Sequence, residues 1–214
     1  MGEIIQATAK TEKIVEDITL AHRNGMARGG DIADACRNRL QTAVGAIENA
    51  LALAEAARRA ESAAWVIVLA QDNDADITIG SVRDEMWNAL GRPKQSEHMD
   101  TVFPGGVGTY TAGDPRNQPV LMQVLHSRIL AASAPQWIES KRNGWAATIE
   151  AARVPYQEAV NAHRPAEAAL TVAEAGYRAA VRAGHARLRS FKRDLKSLGL
   201  TEAQIHEIIP DASA

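Results

Sequence analysis

Apolar residues recur along this chain at intervals of three and four, and the stretches that carry this spacing are long. The clearest lies near the C-terminus. Leu170, Ala173, Tyr177, Val181, Gly184, Leu188, Phe191, Leu195 and Leu198 form one helical seam. The segment from Trp137 to Leu198 meets no strong stop except Pro155 and Pro165, where lost backbone hydrogen bonds predict bends or one break. Gly199 reads as the left-handed residue after that helix. Thr201 reads as the cap of a last short helix reaching Ile209 and stopped by Pro210.

The N-terminal half follows the same rule. A first helix is expected from about Glu3 to His22, with Ile4, Ile5, Ile14, Val15, Ile18 and Leu20 on its apolar faces, ended by Asn24-Gly25 and Gly29-Gly30. A second is expected from an Asp31 cap to about Ala70. Within it Ala33, Cys36 and Leu40 return eleven residues later as Val44, Ile47 and Leu51; Trp145 and Ile149 return likewise as Tyr156 and Val160. A period of eleven is ~3.67 residues per turn, which favours nearly straight packing. The pattern fits two placements of the first helix, collinear with the second or folded back beside it.

Residues 71–134 read differently. A short helix is expected from Ser81, with Asp84 in its first turn, to Gly91, and another from about Pro119 to Ala132. Between them, residues 92–118 hold Pro93, Pro104, Pro115 and the run Gly105-Gly106-Val107-Gly108. A loop this long is expected to contact a partner or the cap, with Phe103, Val107 and Tyr110 as its apolar contacts. On that reading, deleting Thr101 to Gly113 leaves the helices folded and weakens association. Trp65, Trp87, Trp137 and Trp145 would gather near one end of a hairpin and fill its cap.

Composition narrows the class. The chain holds 41 alanines but only 4% aromatic residues, so its helices have high propensity and small side chains. Its net charge of -2 and the lack of a long apolar run predict a cytoplasmic protein with no membrane span and no general affinity for nucleic acid. The lone Cys36 reads as a small residue on a buried helix face.

Candidate chemistry is sparse. Asp72, Asp74 and Asp76 alternate as oxygen ligands do at the start of an EF-hand calcium loop. Ile77 stands where that loop needs its turning glycine, however, and Arg83 where it needs a bidentate glutamate. An acidic turn between helices accounts for the string, with calcium as the alternative. Arg182, Arg189, Arg193 and Lys196 share one face of the last long helix. They suit an acidic protein neighbour or a phosphate strip, or complement the helix dipole. Glu97, His98 and Asp100 lie together in the loop, but the six histidines are otherwise dispersed and no phosphate-loop pattern occurs.

These features predict an all-α fold with helix over more than roughly 65% of residues. The architecture is an elongated antiparallel helical hairpin or three-helix bundle, coiled-coil-like, with a partly irregular cap at its tip. Residues 1–70 and 135–198 form the rod, 71–134 the inserted tip, and 199–214 a short helix and tail. A helix of the length seen after Trp137 would reach roughly 90 Å, which favours a part in an assembly over a pocket enzyme. The expected function is therefore a structural subunit of a filament, tube or shell, without cofactor. The alternative is a helical adaptor that presents residues 92–118 to another protein.

Overall fold

The computed structural model describes residue 6 and residues 9–209. Of these, 85% are helical and none is in a strand. Eight α-helices follow one another: α1 (Thr11–Arg28), α2 (Gly30–Cys36), α3 (Thr42–Ala89), α4 (Glu97–Val102), α5 (Gly108–Thr111), α6 (Gln118–Ala131), α7 (Glu139–Ser197) and α8 (Glu202–Ile208). A π-helical turn, Arg37–Gln41, joins α2 to α3, and a 3-10 turn, Pro115–Asn117, precedes α6. The chain divides into two compact units, one of residues 1–59 with 168–214 and the other of residues 60–167.

In the first unit α3 and α7 run antiparallel. Ile47 lies against Gly184, and further along α3 Arg58 pairs with Glu174, further back along α7. A Cβ on Gly184 would stand 2.8 Å from the Ile47 side chain, so glycine permits this approach. The core joins Ile14 and Ile18 of α1, Cys36 and Leu40 of the second segment, Leu188, Phe191 and Leu195 of α7, and Ile205 of α8. The predicted seam is buried from Val181 to Leu195. The π turn explains how Cys36, Leu40 and Val44 all reach this core. Spaced by four, they would drift around an ideal α-helix, and a wider turn keeps them on one face.

α1 folds back against α2, which settles the choice that the sequence left open. Its bounds differ from expectation. Ile4 and Ile5 lie outside the described residues, the helix opens at Thr11, and Gly25 sits inside it, buried. A Cβ at Gly25 would lie 2.9 Å from Cys36 Sγ and 3.0 Å from Phe191, so this glycine admits a close crossing and does not stop the helix. Gly29, with φ 71°, ends α1 and precedes α2, so Asp31 falls in the first turn of α2 and is not its cap. At the other terminus expectation and structure agree. Gly199 has φ 82°, and the N–H groups of Leu200 and Gly199 donate to the carbonyls of Leu195 and Lys196, a Schellman ending. Thr201 then forms a capping box with Gln204.

The second unit is a hairpin of α3 and α7 closed by shorter helices. Glu61 meets His163, Asp72 meets Tyr156, and Glu85 meets Trp145, an order that again defines antiparallel helices. α3 does not end near Ala70, and no new helix starts at Ser81; it continues to Ala89. Val68, Asp72, Ala75, Ile79, Val82 and Met86 step by four and three along it. All but Asp72 are buried, and this seam outweighs the weak helix propensity of the aspartates.

Pro155 and Pro165 interrupt nothing, since α7 is assigned as one helix through both. Each proline is exposed, as are Ala151 and Asn161, four residues earlier, so water can satisfy the carbonyls deprived of a donor. Trp137 and Trp145 meet edge to face with centroids 6.2 Å apart, and Trp87 packs on the same core. Trp65 packs on this core too, but 22 residues before Trp87 on one helix, roughly 33 Å away, so the four do not gather at one end.

Residues 92–118 are ordered by their own chain. Val102, Phe103 and Tyr110 are core residues beside Met122, Leu125 and Ile129 of α6. Ser96 caps α4, the Tyr110 hydroxyl donates to the Val102 carbonyl at 2.6 Å, and Arg128 donates to that hydroxyl at 2.9 Å.

Candidate functional site

The helix pair of the first unit has two unlike sides. On one, a cleft of about 410 Å³ is lined by Thr11, Glu12, Leu51, Ala54, Arg58, Glu174, Tyr177 and Arg178. Charge is dense there, and the Arg58–Glu174 ion pair at 2.9 Å bridges α3 to α7. On the other side a groove of about 630 Å³ is lined by Ala50, Leu53, Ala57, Ala168, Ala169, Val172, Ala173 and Gly176, none of them polar.

Helical phase produces this asymmetry. Successive residues point 100° apart, so Ala54 is buried while Leu53 beside it is exposed. On α3 the groove face repeats as Ala46, Ala50, Leu53 and Ala57. On α7 it repeats as Ala168, Val172, Gly176, Ala179 and Ala183, and no charged residue falls on either row. Small side chains leave a shallow channel between the helices. Leu53 and Val172 rise from its edges with 66% and 71% of their surface exposed.

The sequence-predicted residues lie elsewhere. Phe103 and Tyr110 are 3% and 1% exposed and packed edge to face inside the second unit, so they offer nothing to a partner; Val107 is half-buried on the same core. Of the two contacts expected for the loop, a partner or the cap, these aromatics make the second, so Phe103 and Tyr110 are corrected from partner-contact residues to core residues. Arg182, Arg189 and Arg193 are exposed on α7, whereas Lys196 pairs with Glu202 of α8 at 2.5 Å. Cys36 is buried, as expected; burial pushes its thiol up, and its Sγ contacts the His22 carbonyl.

Asp72, Asp74 and Asp76 form neither a turn nor a calcium loop. They stand within α3, where helical phase sends Asp72 and Asp76 to one side and leaves Asp74 exposed on another. Gln118 donates to Asp76 at 2.6 Å. The Tyr156 hydroxyl lies 2.7 Å from both the Asp72 carboxylate and the Pro115 carbonyl, tying α7 to α3 and to the turn before α6. Burial raises the Asp76 carboxyl, the Gln118 amide lowers it in part, and the charge of Asp72 raises it further. Burial, and then the hydrogen bond to Asp72, raise Tyr156. Tyr156→Phe removes the one hydroxyl proton that the Asp72 carboxylate and the Pro115 carbonyl share, and is expected to cost about 1–3 kcal/mol in denaturant unfolding. A change near zero would show that water replaces the hydroxyl.

A concavity of the second unit, of about 600 Å³, is lined by Arg83, Trp87, Lys94, Ser96, Glu97 and Asp100 among others. Arg83 and Arg92 both lie over the Trp87 ring, at 5.2 and 5.9 Å from its centroid, and the indole N–H donates to the Pro93 carbonyl. Arg92 holds φ 59°, a left-handed conformation unusual for a residue other than glycine, as α3 turns into this segment. His98 contacts Trp137 through its ring. Among the described residues no three His, Cys, Asp or Glu side chains converge as metal ligands.

Fold and groove together define an all-α helical hairpin protein that exposes an uncharged, alanine-lined face. Comparison with protein-family models, with curated proteins and with solved structures finds no match.

Proposed function

We propose that this protein is a structural, non-enzymatic subunit of a homo-oligomeric assembly in the cytoplasm, built by packing its alanine-rich helices against neighbouring copies. The observation that supports the reading is the uncharged groove between α3 and α7, whose edges expose Leu53 and Val172 to water. Covering each of these side chains is worth about 1.5–3 kcal/mol. Alanine and glycine let a neighbouring helix approach closely, and no ion has to be desolvated. No helix among the described residues is long and apolar enough to cross a membrane.

Association costs about 4–15 kcal/mol in lost freedom, so contacts of this size give an assembly that forms as concentration rises. Sedimentation over a wide concentration range is expected to show species heavier than the 23.0 kDa chain, increasing with concentration. A monomer throughout would reject this reading and leave the adaptor reading. That second reading draws on the cleft around Trp87, where Arg83 and Lys94 stand beside Glu97 and Asp100 and suit a partner segment of mixed charge.

A further inference from the structure

We infer that the groove of the first unit takes the same groove of a second copy, through a two-fold contact in which Leu53 and Val172 of each chain enter the channel of the other. The inference rests on the homo-oligomer reading and specifies the contact that begins assembly.

Three features lead to it. The first is electrostatic. An uncharged channel disfavours a partner that brings charge, because a buried ion without a counter-ion is costly. The opposite side of the same helix pair carries Glu12, Arg58, Glu174 and Arg178, and so does not fit the groove. In the second unit, exposed Ile77 shares its face of α3 with Asp74 and Asp84. Val120 and Val124 are exposed on α6, a single helix of 14 residues. The groove face itself meets the condition, being free of charge along both helices.

The second feature is shape. Leu53 and Val172 project beside the hollows at Ala57, Ala169 and Gly176, so one face carries both the projections and the recesses that receive them. A surface complementary to itself associates about a two-fold axis. The third is area. Residues 46–57 of α3 span roughly 18 Å and residues 168–186 of α7 roughly 28 Å, so at ~10 Å per helix the face is on the order of 460 Å² per copy before side-chain relief is counted. Two copies together cover on the order of 900 Å², the size of a weak contact that forms as concentration rises and not of a permanent dimer.

Single cysteines test the symmetry, because a two-fold contact places residues near its axis against their own counterparts. Leu53→Cys, Ala57→Cys, Ala169→Cys and Val172→Cys are each oxidised mildly, with the parent chain, whose Cys36 is buried, as the blank. At least one variant is expected to form a reducible covalent dimer at concentrations where the parent does not. In parallel, Leu53→Lys with Val172→Lys is expected to weaken self-association at least tenfold while circular dichroism stays unchanged, since both side chains are exposed. If the parent assembles but no groove cysteine cross-links, or the double lysine variant assembles like the parent, the two-fold contact is overturned while the homo-oligomer reading stands. If the parent is monomeric at every concentration, both fail.

Discussion

Trp137→Ala is expected to destabilise the protein by about 3–5 kcal/mol, the largest effect of any single substitution considered. Trp137 lies in the turn before α7 and is 2% exposed. Its ring meets Trp145 edge to face, and its indole N–H donates to the Met86 carbonyl near the end of α3 at 3.0 Å. Truncation removes most of a large side chain where the two helices of the second unit and the turn between α6 and α7 converge. The backbones there belong to helix ends anchored on both sides, so the cavity cannot close fully. The Met86 carbonyl also loses its donor, which adds to the cavity term. Denaturant unfolding followed by circular dichroism measures the effect. A loss below ~1 kcal/mol would mean that neighbours refill the space and that Trp137 does not organise this end of the hairpin.

Deleting residues 101–113 is expected to unfold much of the second unit, where sequence alone suggested that the helices stay folded and only association weakens. The deletion removes Val102, Phe103 and Tyr110, which are 0%, 3% and 1% exposed. At about 1.5–3 kcal/mol each, their burial amounts to roughly 5–9 kcal/mol, comparable to the whole stability of an ordinary domain. It also exposes Met122, Leu125 and Ile129 of α6, which share their core, and leaves Arg128 without the Tyr110 hydroxyl. Helical signal should fall and limited proteolysis should cut within residues 60–167. A deletion variant that unfolds at the parent's midpoint would show that the segment is a passive connector.

The two outcomes concern the second unit because that is where local sequence and structure part most. Asp72, Asp74 and Asp76 resemble a turn when read in order, yet the seam from Val68 to Met86 passes through them and keeps the chain helical. The seam was present in the spacing, with Asp72 as its one polar member, and the acidic string concealed it. Proline and glycine between residues 92 and 118 marked the break between long helices, but α4, α5 and a 3-10 turn stand where a long loop was expected. The prolines and glycines carried no information on which way Phe103 and Tyr110 would face. The candidate groove was legible only as alanine-rich faces; its channel depends on which rows of α3 and α7 lie side by side.

What the sequence determined by itself is the structure written in short-range terms. The all-α class, the seam from Val181 to Leu195, the Gly199 ending and the Thr201 capping box all follow from contacts within a few residues of one another. Tertiary structure decided the rest. Gly25 remains inside α1 because Cys36 and Phe191 leave room for no Cβ, and α7 passes Pro155 and Pro165 because both face water while the opposite side is packed. Each local rule states a preference of one to a few kcal/mol, and a buried face summed over several helical turns exceeds it.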